Sequence, residues 1–589
     1  MNAADKMKWP TVFSGLKGGT RTNLPREISA GITLAALIIP LNIGYAQVAG
    51  LPPVFGLYAG IFPLAVFALF TGSRHVVGSP DATIAAILGA ALIGFAPIGD
   101  PLRVDYALAL SLLCGVLFIA FWFFRLAFLA NFLSRAVLAG FISGLAIEVF
   151  TNQVRKILGV SHTKGVELGA IGQQIHDAMT ASLNTTGYFA ELILLIKSIP
   201  HANLYSVAVG AGAFLIVRLM KKYAPMAPAA LIALMLTTVV ASLLGLDQKG
   251  VKVLGSIPSG LPSLTVPRVP LSDYVQLFPG AMAVVAITLC KGLLLVRDCS
   301  RKNHTKADGN QVLFAYGMSS IASGFTGSLV SGPSSSRTAA MDAAGSRTQI
   351  SSLAAAVTVA LVMMFLTDAL ASLPIVALAG VVASAVLSMI EIDELREFWH
   401  TRRSEFWIAS ICLFCVLGLG PLRAVIIAFL LSTIDLVRRA SRPGTWLLYE
   451  APDGSYFIPE KTDHIPADSE IIIYRFGASL YFANATLFEE EVEQLITRAS
   501  LPVKWFVLDA QALNDIDTTG EDVLHQIFKW LTDRGVTVAV SHASPSTLAL
   551  LKKYHLLDLI GENRTYPSNR HAIAAYRRET GQVVAPPAG

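Results

Sequence analysis

Apolar stretches long enough to cross a membrane recur along the first three quarters of the chain. A membrane-spanning helix needs about 20 mostly apolar residues, or fewer where the helix is broken inside the membrane. The 14 windows that meet this description cover residues 28–46, 54–71, 81–95, 104–124, 129–152, 203–220, 227–246, 273–297, 311–329, 336–348, 350–371, 373–390, 405–419 and 421–437. The pattern predicts a polytopic α-helical membrane protein with 14 spans.

The pattern changes near residue 440, where short apolar runs begin to alternate with amphipathic segments, as in an α/β domain. Strands are predicted over 471–476, 503–509 and 536–540, and helices over 486–498, 519–531 and 545–553. The chain then divides into a cytoplasmic N-terminal segment (1–27), a transmembrane domain (28–440), a cytoplasmic α/β domain (445–580) and a flexible tail (581–589).

Composition agrees with a chain that is solvated largely by lipid. Of its 589 residues, 54% are hydrophobic and 14% are charged, whereas soluble proteins contain about 25% charged residues. The net charge of +5 is modest, and no basic run with interleaved aromatic residues indicates nucleic-acid binding. The sequence has no nucleotide-binding loop, metal-ligand cluster or nucleophile set. We therefore expect no enzymatic activity, no cofactor and no metal. Cys412 and Cys415 have C-x-x-C spacing, but they lie in an apolar helix and are interpreted as packing.

Basic residues between the windows predict the orientation. If the N-terminus is cytoplasmic, the loops rich in Lys and Arg fall on the cytoplasmic side, as in most membrane proteins. Arg155 and Lys156 are the exception. One miscounted span would invert all later loops, so the agreement supports 14 spans with both termini in the cytoplasm.

Two spans begin with an irregular Gly/Ser/Pro stretch: the span at 81–95 follows residues 78–80, and the span at 336–348 follows residues 331–335. Fourteen spans divide into seven plus seven, and these two spans are the third in each half. An odd number of spans per repeat gives the halves opposite orientations. The pattern thus predicts a 7+7 inverted repeat whose two half-helices meet near the membrane midplane.

Arg337 stands at the start of the second half-helix. A charge at membrane depth is costly, so we interpret it as functional. Each half-helix N-terminus offers free N–H groups and about half a positive charge, and Arg337 adds a full charge. These features predict an anion site. In the alternative interpretation, the Gly-Pro segments are kinks and Arg337 snorkels to the surface; its closeness to Pro333 disfavours this.

Three segments resemble motifs of the SulP sulfate-permease family: Pro40–Tyr58, Asp308–Gln311 and Ser331–Ala339. The resemblance covers nearly the whole chain. It implies transport of sulfate, bicarbonate, chloride, dicarboxylates or related anions. It also implies a 7+7 repeat with core and gate domains that move in an elevator-like way, usually in a homodimer. Spans 1, 3, 8 and 10 are then expected to line the site.

The chain departs from the family in span 8. Bacterial relatives often have a carboxylate there for proton or sodium coupling, whereas this chain has Lys291. Because lysine cannot bind sodium, sodium coupling at this position is not expected. Lys291 either supplies a second fixed positive charge, which would favour a divalent anion, or replaces a coupling cation.

Two acidic residues complicate the predicted charge balance. Asp81 lies in the first turn of its half-helix, where a carboxylate favours the helix dipole but competes with an anion. Glu148 lies in span 5, where the family mostly has an aliphatic residue. We hypothesise that Lys291 pairs with one of these acids in some transport states, and that the acid also carries the coupling proton. Alternatively, Asp81 is only a helix cap and Glu148 faces a wet cavity.

The other candidate substrate contacts lie on three of the lining spans. They are Asn42 and Tyr45 on span 1, Ala82 and Thr83 at the start of span 3, and Ser334, Ser335 and Ser336 at the start of span 10. Side chains on span 1 also pack against neighbours, and the serines also relieve strain where the helix breaks.

In the C-terminal region, Ala478–Asn484 followed by Asp515–Gly520 resembles the STAS domain, the usual C-terminal module of this family. In related anti-sigma-factor antagonists a Ser or Thr after the Asp is phosphorylated, and Thr518 holds that position. A phosphate there would add a charge of about −1.5 to −2 at a helix N-terminus, and a cytoplasmic regulatory protein would be its partner. In the alternative interpretation, Thr518 and Thr519 only cap the helix.

The sequence therefore favours a secondary active transporter of small anions that is proton-coupled or exchanges anions. Short loops and the STAS context are typical of a bacterial inner-membrane protein. The expected partners are a small inorganic or organic anion, membrane lipid and a second copy of the chain, but no nucleic acid. The alternative is an uncoupled anion channel or an anion-sensing membrane protein, as in some animal members of the family.

Overall fold

The computed structural model describes residues 10–18, 23–128, 134–159, 188–224, 227–450, 456–457 and 470–581. The chain divides into two compact units, Met1–Ser432 and Thr433–Gly589. The boundary between them falls inside a long helix, Pro421–Ser441.

The first unit is helical. In chain order, its α-helices are α1 (Leu24–Val48), α2 (Pro53–Ala59), α3 (Phe62–Phe70), α4 (Ala82–Ala91), α5 (Leu102–Phe123), α6 (Arg135–Ile157), α7 (Tyr188–Ser198), α8 (Leu204–Tyr223), α9 (Ala229–Leu243), α10 (Leu271–Lys302), α11 (Gly309–Phe325), α12 (Ser335–Ala343), α13 (Ile350–Phe365), α14 (Thr367–Ala371), α15 (Ile375–Leu387), α16 (Ile392–Thr401), α17 (Arg403–Leu419) and α18 (Pro421–Ser441).

Seven helical segments of the described chain have the length and apolar composition needed to cross a membrane. They are Leu24–Val48, Pro53–Phe70, Leu102–Phe123, Arg135–Ile157, Leu204–Tyr223, Leu271–Lys302 and Ile375–Thr401. Shorter apolar helices include α4, α9 and α13. The count of 14 membrane spans stays a prediction.

The structure corrects several predicted boundaries. The predicted span at 54–71 is two helices, because the chain breaks at Gly60–Ile61 and Pro63 starts a new first turn. The half-helices are shorter than predicted, with 10 residues in α4 and nine in α12. The predicted span at 129–152 starts instead at Arg135, and residues 129–133 lie outside the described chain.

The sequence patterns did not predict α7 or α16. The latter has an amphipathic pattern, with Phe398 buried and most of its charged side chains exposed. A search for helical periodicity in polar segments would have found it.

Helix α1 lies at the centre of the first unit and contacts both half-helices, α4 and α12. Small residues permit this close packing. A Cβ at Gly31 would come within 2.7 Å of the Ser351 carbonyl oxygen of α13, and a Cβ at Gly44 would collide with Val382 of α15. The side chains that α1 presents near its middle are therefore held between rigid neighbours.

The second unit contains a five-stranded sheet in the order β1-β4-β5-β6-β7 and a separate β2-β3 pair. The strands are β1 (Thr445–Leu447), β2 (Tyr449–Glu450), β3 (Tyr456–Phe457), β4 (Ile471–Phe476), β5 (Trp505–Asp509), β6 (Thr537–Ser541) and β7 (Thr565–Tyr566). Its helices are α19 (Ala485–Thr497), α20 (Thr518–Asp533), α21 (Pro545–Lys553), α22 (Leu556–Ile560) and α23 (Asn569–Thr580).

Strands β4 to β7 are parallel, and β1 pairs with β4 in the antiparallel direction. Apolar clusters cover both faces of this sheet, as a parallel sheet requires. The predicted strand at 471–476 and the predicted helix at 545–553 have the observed bounds. The two edge strands were not predicted, because three and two residues are too few to show a period.

Candidate functional site

The two irregular segments of the first unit lie beside each other as a short antiparallel bridge. Ser79 N–H donates to the Gly332 carbonyl (2.8 Å), and Ser334 N–H donates to the Val77 carbonyl (3.2 Å). The Val77 N–H donates to Thr338 Oγ1 of α12 (3.0 Å). Because α4 and α12 each begin just after one of these segments, the bridge brings the two helix N-termini together.

We call the place where residues 77–80 and 331–335 meet the crossing. Gly332 is the point of closest approach between the two segments. A Cβ at this position would collide with Ile84 Cδ1 in the first turn of α4. Only glycine therefore lets the segment before α12 lie directly against the opposite half-helix.

We expect Gly332→Ala to destabilise the protein by about 1–3 kcal/mol, as overpacking of a close contact usually does. The Ile84→Val substitution removes the colliding Cδ1 atom, so Gly332→Ala/Ile84→Val should recover much of the loss. Gly94→Ala is the matched control, since a Cβ there meets no atom within 4 Å. The thermal unfolding midpoint in detergent measures the stability of all three variants. Equal midpoints for Gly332→Ala and Gly94→Ala would contradict the close contact.

Arg337 is buried in this crossing, with 1% of its surface exposed. Its Nη1 donates to the Pro80 carbonyl (2.6 Å) and its Nη2 donates to Asn42 Oδ1 on α1 (2.6 Å). The guanidinium carbon lies 5.5 Å from the centre of the Tyr45 ring, within the range of a cation–π contact. Arg337 therefore links α12, α1 and the segment before α4, and it does not snorkel to the surface.

The contacts of Arg337 refine its predicted role. Its two terminal nitrogens bind protein oxygens, while Nε has no hydrogen-bond partner among the described residues. Asn42 is fixed in turn, since its Nδ2 donates to the Gly56 carbonyl (3.0 Å). The structure thus places a fixed positive charge at the crossing and holds it rigidly.

Lys291 on α10 forms an ion pair with Asp81. Its Nζ lies 2.5 Å from Asp81 Oδ2 and also donates to Thr83 Oγ1 (3.0 Å). The two side chains of the pair are only 13% and 12% exposed. The other carboxylate oxygen, Oδ1, accepts the Ile84 N–H (2.9 Å) as the N-cap of α4. Asp81 therefore acts both as a helix cap and as an ion-pair partner, which the sequence had presented as alternatives.

Glu148 lies half-buried on α6. The other acid considered from the sequence, Asp81, pairs with Lys291 in this structure. The hypothesis that Glu148 takes part in charge balance stays a prediction.

The ion pair changes the predicted charge balance of the site. Lys291 neutralises Asp81, so it is not a free second cation. What remains is the full charge of Arg337 and the two half-helix N-termini, each worth roughly +0.5. The sum is about +2, and it lies where the two helix ends meet.

The remaining sequence candidates occupy different environments. Tyr45, Ala82 and Thr83 are buried. Ser334 is buried at the N-cap of α12 but makes no side-chain capping bond, and Ser335 and Ser336 are exposed in the first turn. The structure therefore brings all of them to the two helix starts or to the facing part of α1.

The sequence did not single out several buried hydroxyl groups around this crossing. Those without a hydrogen-bond partner in the described part of the chain include Ser79, Thr288, Tyr316 and Ser331. Thr288 stands three residues before Lys291 on α10, so helical spacing alone would have placed it on the same face. For Ser and Thr inside apolar helices, nothing else in the sequence would have identified them as residues of the site.

In the second unit, the structure corrects the predicted cap of α20. The N-cap is Asp517, whose Oδ1 accepts the Gly520 N–H (2.7 Å) and whose Oδ2 accepts the Phe482 N–H (2.9 Å). The alternative in which Thr518 and Thr519 cap this helix is therefore wrong. Thr518 is exposed at the first position of α20, and its regulatory role stays a prediction.

Comparison with known proteins identifies the family. A sequence model of the Sulfate permease family matches residues 24–412, and a STAS domain model matches residues 462–572. The chain belongs to the sulfate permease family. The resemblance seen in the sequence motifs is confirmed.

Similar proteins include a probable sulfate transporter of Mycobacterium tuberculosis, which is 33% identical over 94% of this chain and 95% of its own length. Low affinity sulfate transporter 3 of Stylosanthes hamata is 27% identical over 96% of this chain and 89% of its own length.

Solved structures confirm the predicted fold class. The murine Slc26a9 anion transporter in the inward-facing state is 18% identical, with a TM-score of 0.84 over 98% of this chain and 96% of that chain. The transmembrane domain of the cyanobacterial bicarbonate transporter BicA is 19% identical, with a TM-score of 0.58 over 70% of this chain and 98% of that chain. The protein thus has a helical membrane transporter fold followed by a STAS domain.

Proposed function

We propose that this sulfate permease family member is a secondary active transporter of a small oxyanion, with sulfate as its first candidate substrate. The observation that carries the proposal is the crossing itself, where two half-helix N-termini meet beside the buried charge of Arg337. Helix N-termini bind oxyanions through free backbone N–H groups. The proposed contacts are the N–H groups at the starts of α4 and α12, with the exposed hydroxyls of Ser335 and Ser336.

Sulfate is favoured over the other anions for two reasons. The charge left at the crossing is about +2 once Lys291 and Asp81 cancel, which matches a divalent oxyanion. The curated relatives named above are described as sulfate transporters, one of them as probable. Bicarbonate and dicarboxylates are the competing substrates that the assay must include.

The ion pair also supports a coupling scheme without sodium. The Lys291 ammonium already lies against Asp81 and Thr83, so a fixed cation occupies the position beside α4. Transport would then be driven by protons or by exchange with another anion. We propose that an elevator-like movement carries the crossing across a bacterial cytoplasmic membrane, in a homodimer whose termini are cytoplasmic.

Uptake of radiolabelled sulfate into proteoliposomes tests this proposal. We expect saturable uptake that increases with an imposed pH gradient or with anion preloaded inside, and that is unchanged when choline replaces sodium. Unlabelled sulfate should compete better than bicarbonate or a dicarboxylate. A requirement for sodium would contradict the coupling scheme. Flux that ignores pH and counter-anions and grows linearly with voltage would instead indicate the channel alternative.

A further inference from the structure

A second buried arginine lies far along the chain from Arg337 and plays no part in the site described above. Arg103, in the first turn of α5, is only 3% exposed. Its guanidinium donates to four backbone carbonyls: Nη1 to Leu92 (3.3 Å) and Ala96 (2.6 Å), and Nη2 to Ala49 (3.1 Å) and Gly89 (3.0 Å). No carboxylate pairs with it in the described part of the chain.

Three of these carbonyls belong to the ends of two helices, and the fourth, that of Ala96, lies in the loop after α4. Ala49 is the C-cap of α1, Gly89 lies in the last turn of α4, and Leu92 is the C-cap of α4. The last carbonyls of a helix lack partners within the helix and carry partial negative charge. A guanidinium fork can bind several of them at once, which a lysine ammonium does less well. Arg103 therefore ties the C-terminal ends of α1 and α4 to each other and to α5.

Two glycines make room for this tie. Gly50 has a positive φ of 70°, and a Cβ there would lie 3.0 Å from Arg103 Nε. A Cβ at Gly89 would lie 3.1 Å from the Val48 carbonyl oxygen. The ends of α1 and α4 therefore touch through backbone atoms, with the guanidinium inserted beside the contact.

The same two helices also carry residues of the proposed anion site. Asn42 and Tyr45 lie one to two turns before the tied end of α1. Asp81 caps the opposite end of α4, about 15 Å from the tie at 1.5 Å per residue. Any sliding of α4 along α1 at the tied end would displace Asp81 and Thr83 from Lys291 and Pro80 from Arg337.

We propose that Arg103 is a positioning residue for anion binding, which holds α1 and α4 in register so that their site residues meet Arg337. This inference rests on the proposed transport function. Displacements of about 1 Å in a preorganised site cost up to about 100-fold in rate. Because the displaced groups here are those that bind the anion, loss of the tie should raise the KM for the substrate more than it lowers the maximal rate.

The test compares Arg103→Gln, Arg103→Lys and the control Asn203→Ala in full-length protein. Asn203 is a suitable control because its side chain bonds the Ser206 N–H and the Lys249 carbonyl, away from α1 and α4. We expect Arg103→Gln to raise the KM for sulfate about tenfold or more, with a smaller fall in Vmax per folded protein. The KM of Arg103→Lys should lie between the KM values of wild type and Arg103→Gln. Asn203→Ala should lower the thermal midpoint but leave KM unchanged.

Two results would overturn the inference: an unchanged KM in folded Arg103→Gln protein, or a wild-type KM in Arg103→Lys. The lysine variant keeps the charge, so it decides the question if Arg103→Gln fails to fold. Hydrogen–deuterium exchange gives a readout that does not need transport. Amides 82–85 of α4 should exchange faster in either Arg103 variant than in wild type, and unchanged exchange would contradict the tie. If wild type moves no sulfate but exchange at α4 still rises, the proposed substrate fails and the positioning role stands.

Discussion

Arg337→Gln is expected to reduce sulfate uptake about a thousandfold. The substitution removes a buried positive charge that pairs with no carboxylate among the described residues, while the shorter amide can still reach part of the same pocket. Two unit charges 4 Å apart attract by about 4 kcal/mol at an effective dielectric constant of 20, and each 1.4 kcal/mol is a factor of ten in binding. Initial rates of radiolabelled uptake, normalised to folded protein, measure the loss.

Arg337→Lys is the matched variant. It keeps the positive charge but lacks the planar fork whose two nitrogens donate separately to the Pro80 carbonyl and Asn42 Oδ1. We expect uptake between that of wild type and Arg337→Gln. Near wild-type uptake by Arg337→Gln, with an unchanged KM, would show that this charge does not attract the substrate.

Lys291→Met should also strongly reduce uptake, for a different reason. It leaves Asp81 as an unpaired carboxylate at 12% side-chain exposure, beside the N-terminus of α4. Removing one partner of a buried ion pair costs about 3–5 kcal/mol, and the remaining charge repels an anion. The double variant Lys291→Met/Asp81→Asn should recover much of the uptake, because asparagine still accepts the Ile84 N–H as a cap.

The double-mutant cycle separates this pairing from the Glu148 hypothesis. Asp81→Asn should suppress the effect of Lys291→Met, whereas Glu148→Gln should simply add to it. The six proteins are wild type, the three single variants and the two double variants that contain Lys291→Met. Their uptake rates and thermal midpoints give the coupling energy of Lys291 with Asp81 and that of Lys291 with Glu148. Additive effects for Lys291 and Asp81 would contradict the pair that the structure shows, and strong coupling between Lys291 and Glu148 would instead assign the charge balance to Glu148.

The sequence predicted the main features of the site because these depend on local patterns. Gly, Ser and Pro before a short apolar run mark a broken helix, and Arg337 stands out by its cost in lipid. Two such segments in equivalent positions predicted the crossing that the bridge between Gly78 and Pro333 now shows. The motifs for the family and the STAS domain were specific enough for both to be confirmed.

The partners of the charged groups could not be predicted, because most of them are backbone oxygens or side chains distant in sequence. Arg337 binds the Pro80 carbonyl, 257 residues away, and the four acceptors of Arg103 in the described part of the chain are all backbone carbonyls. Every residue type provides a carbonyl, so no pattern in the sequence marks these acceptors. The choice of Asp81 by Lys291 likewise depends on how α10 packs against α4.

Selenate binding tests the central claim most directly, because selenate has the charge and shape of sulfate and selenium scatters anomalously. An anomalous difference map from crystals of the full-length protein grown with selenate should show one peak between the N-termini of α4 and α12, within hydrogen-bond distance of the amides of Thr83 or Ser336. The peak should be lost in Arg337→Gln crystals. A selenate peak elsewhere in the first unit, or one that persists without Arg337, would contradict an anion site at the crossing.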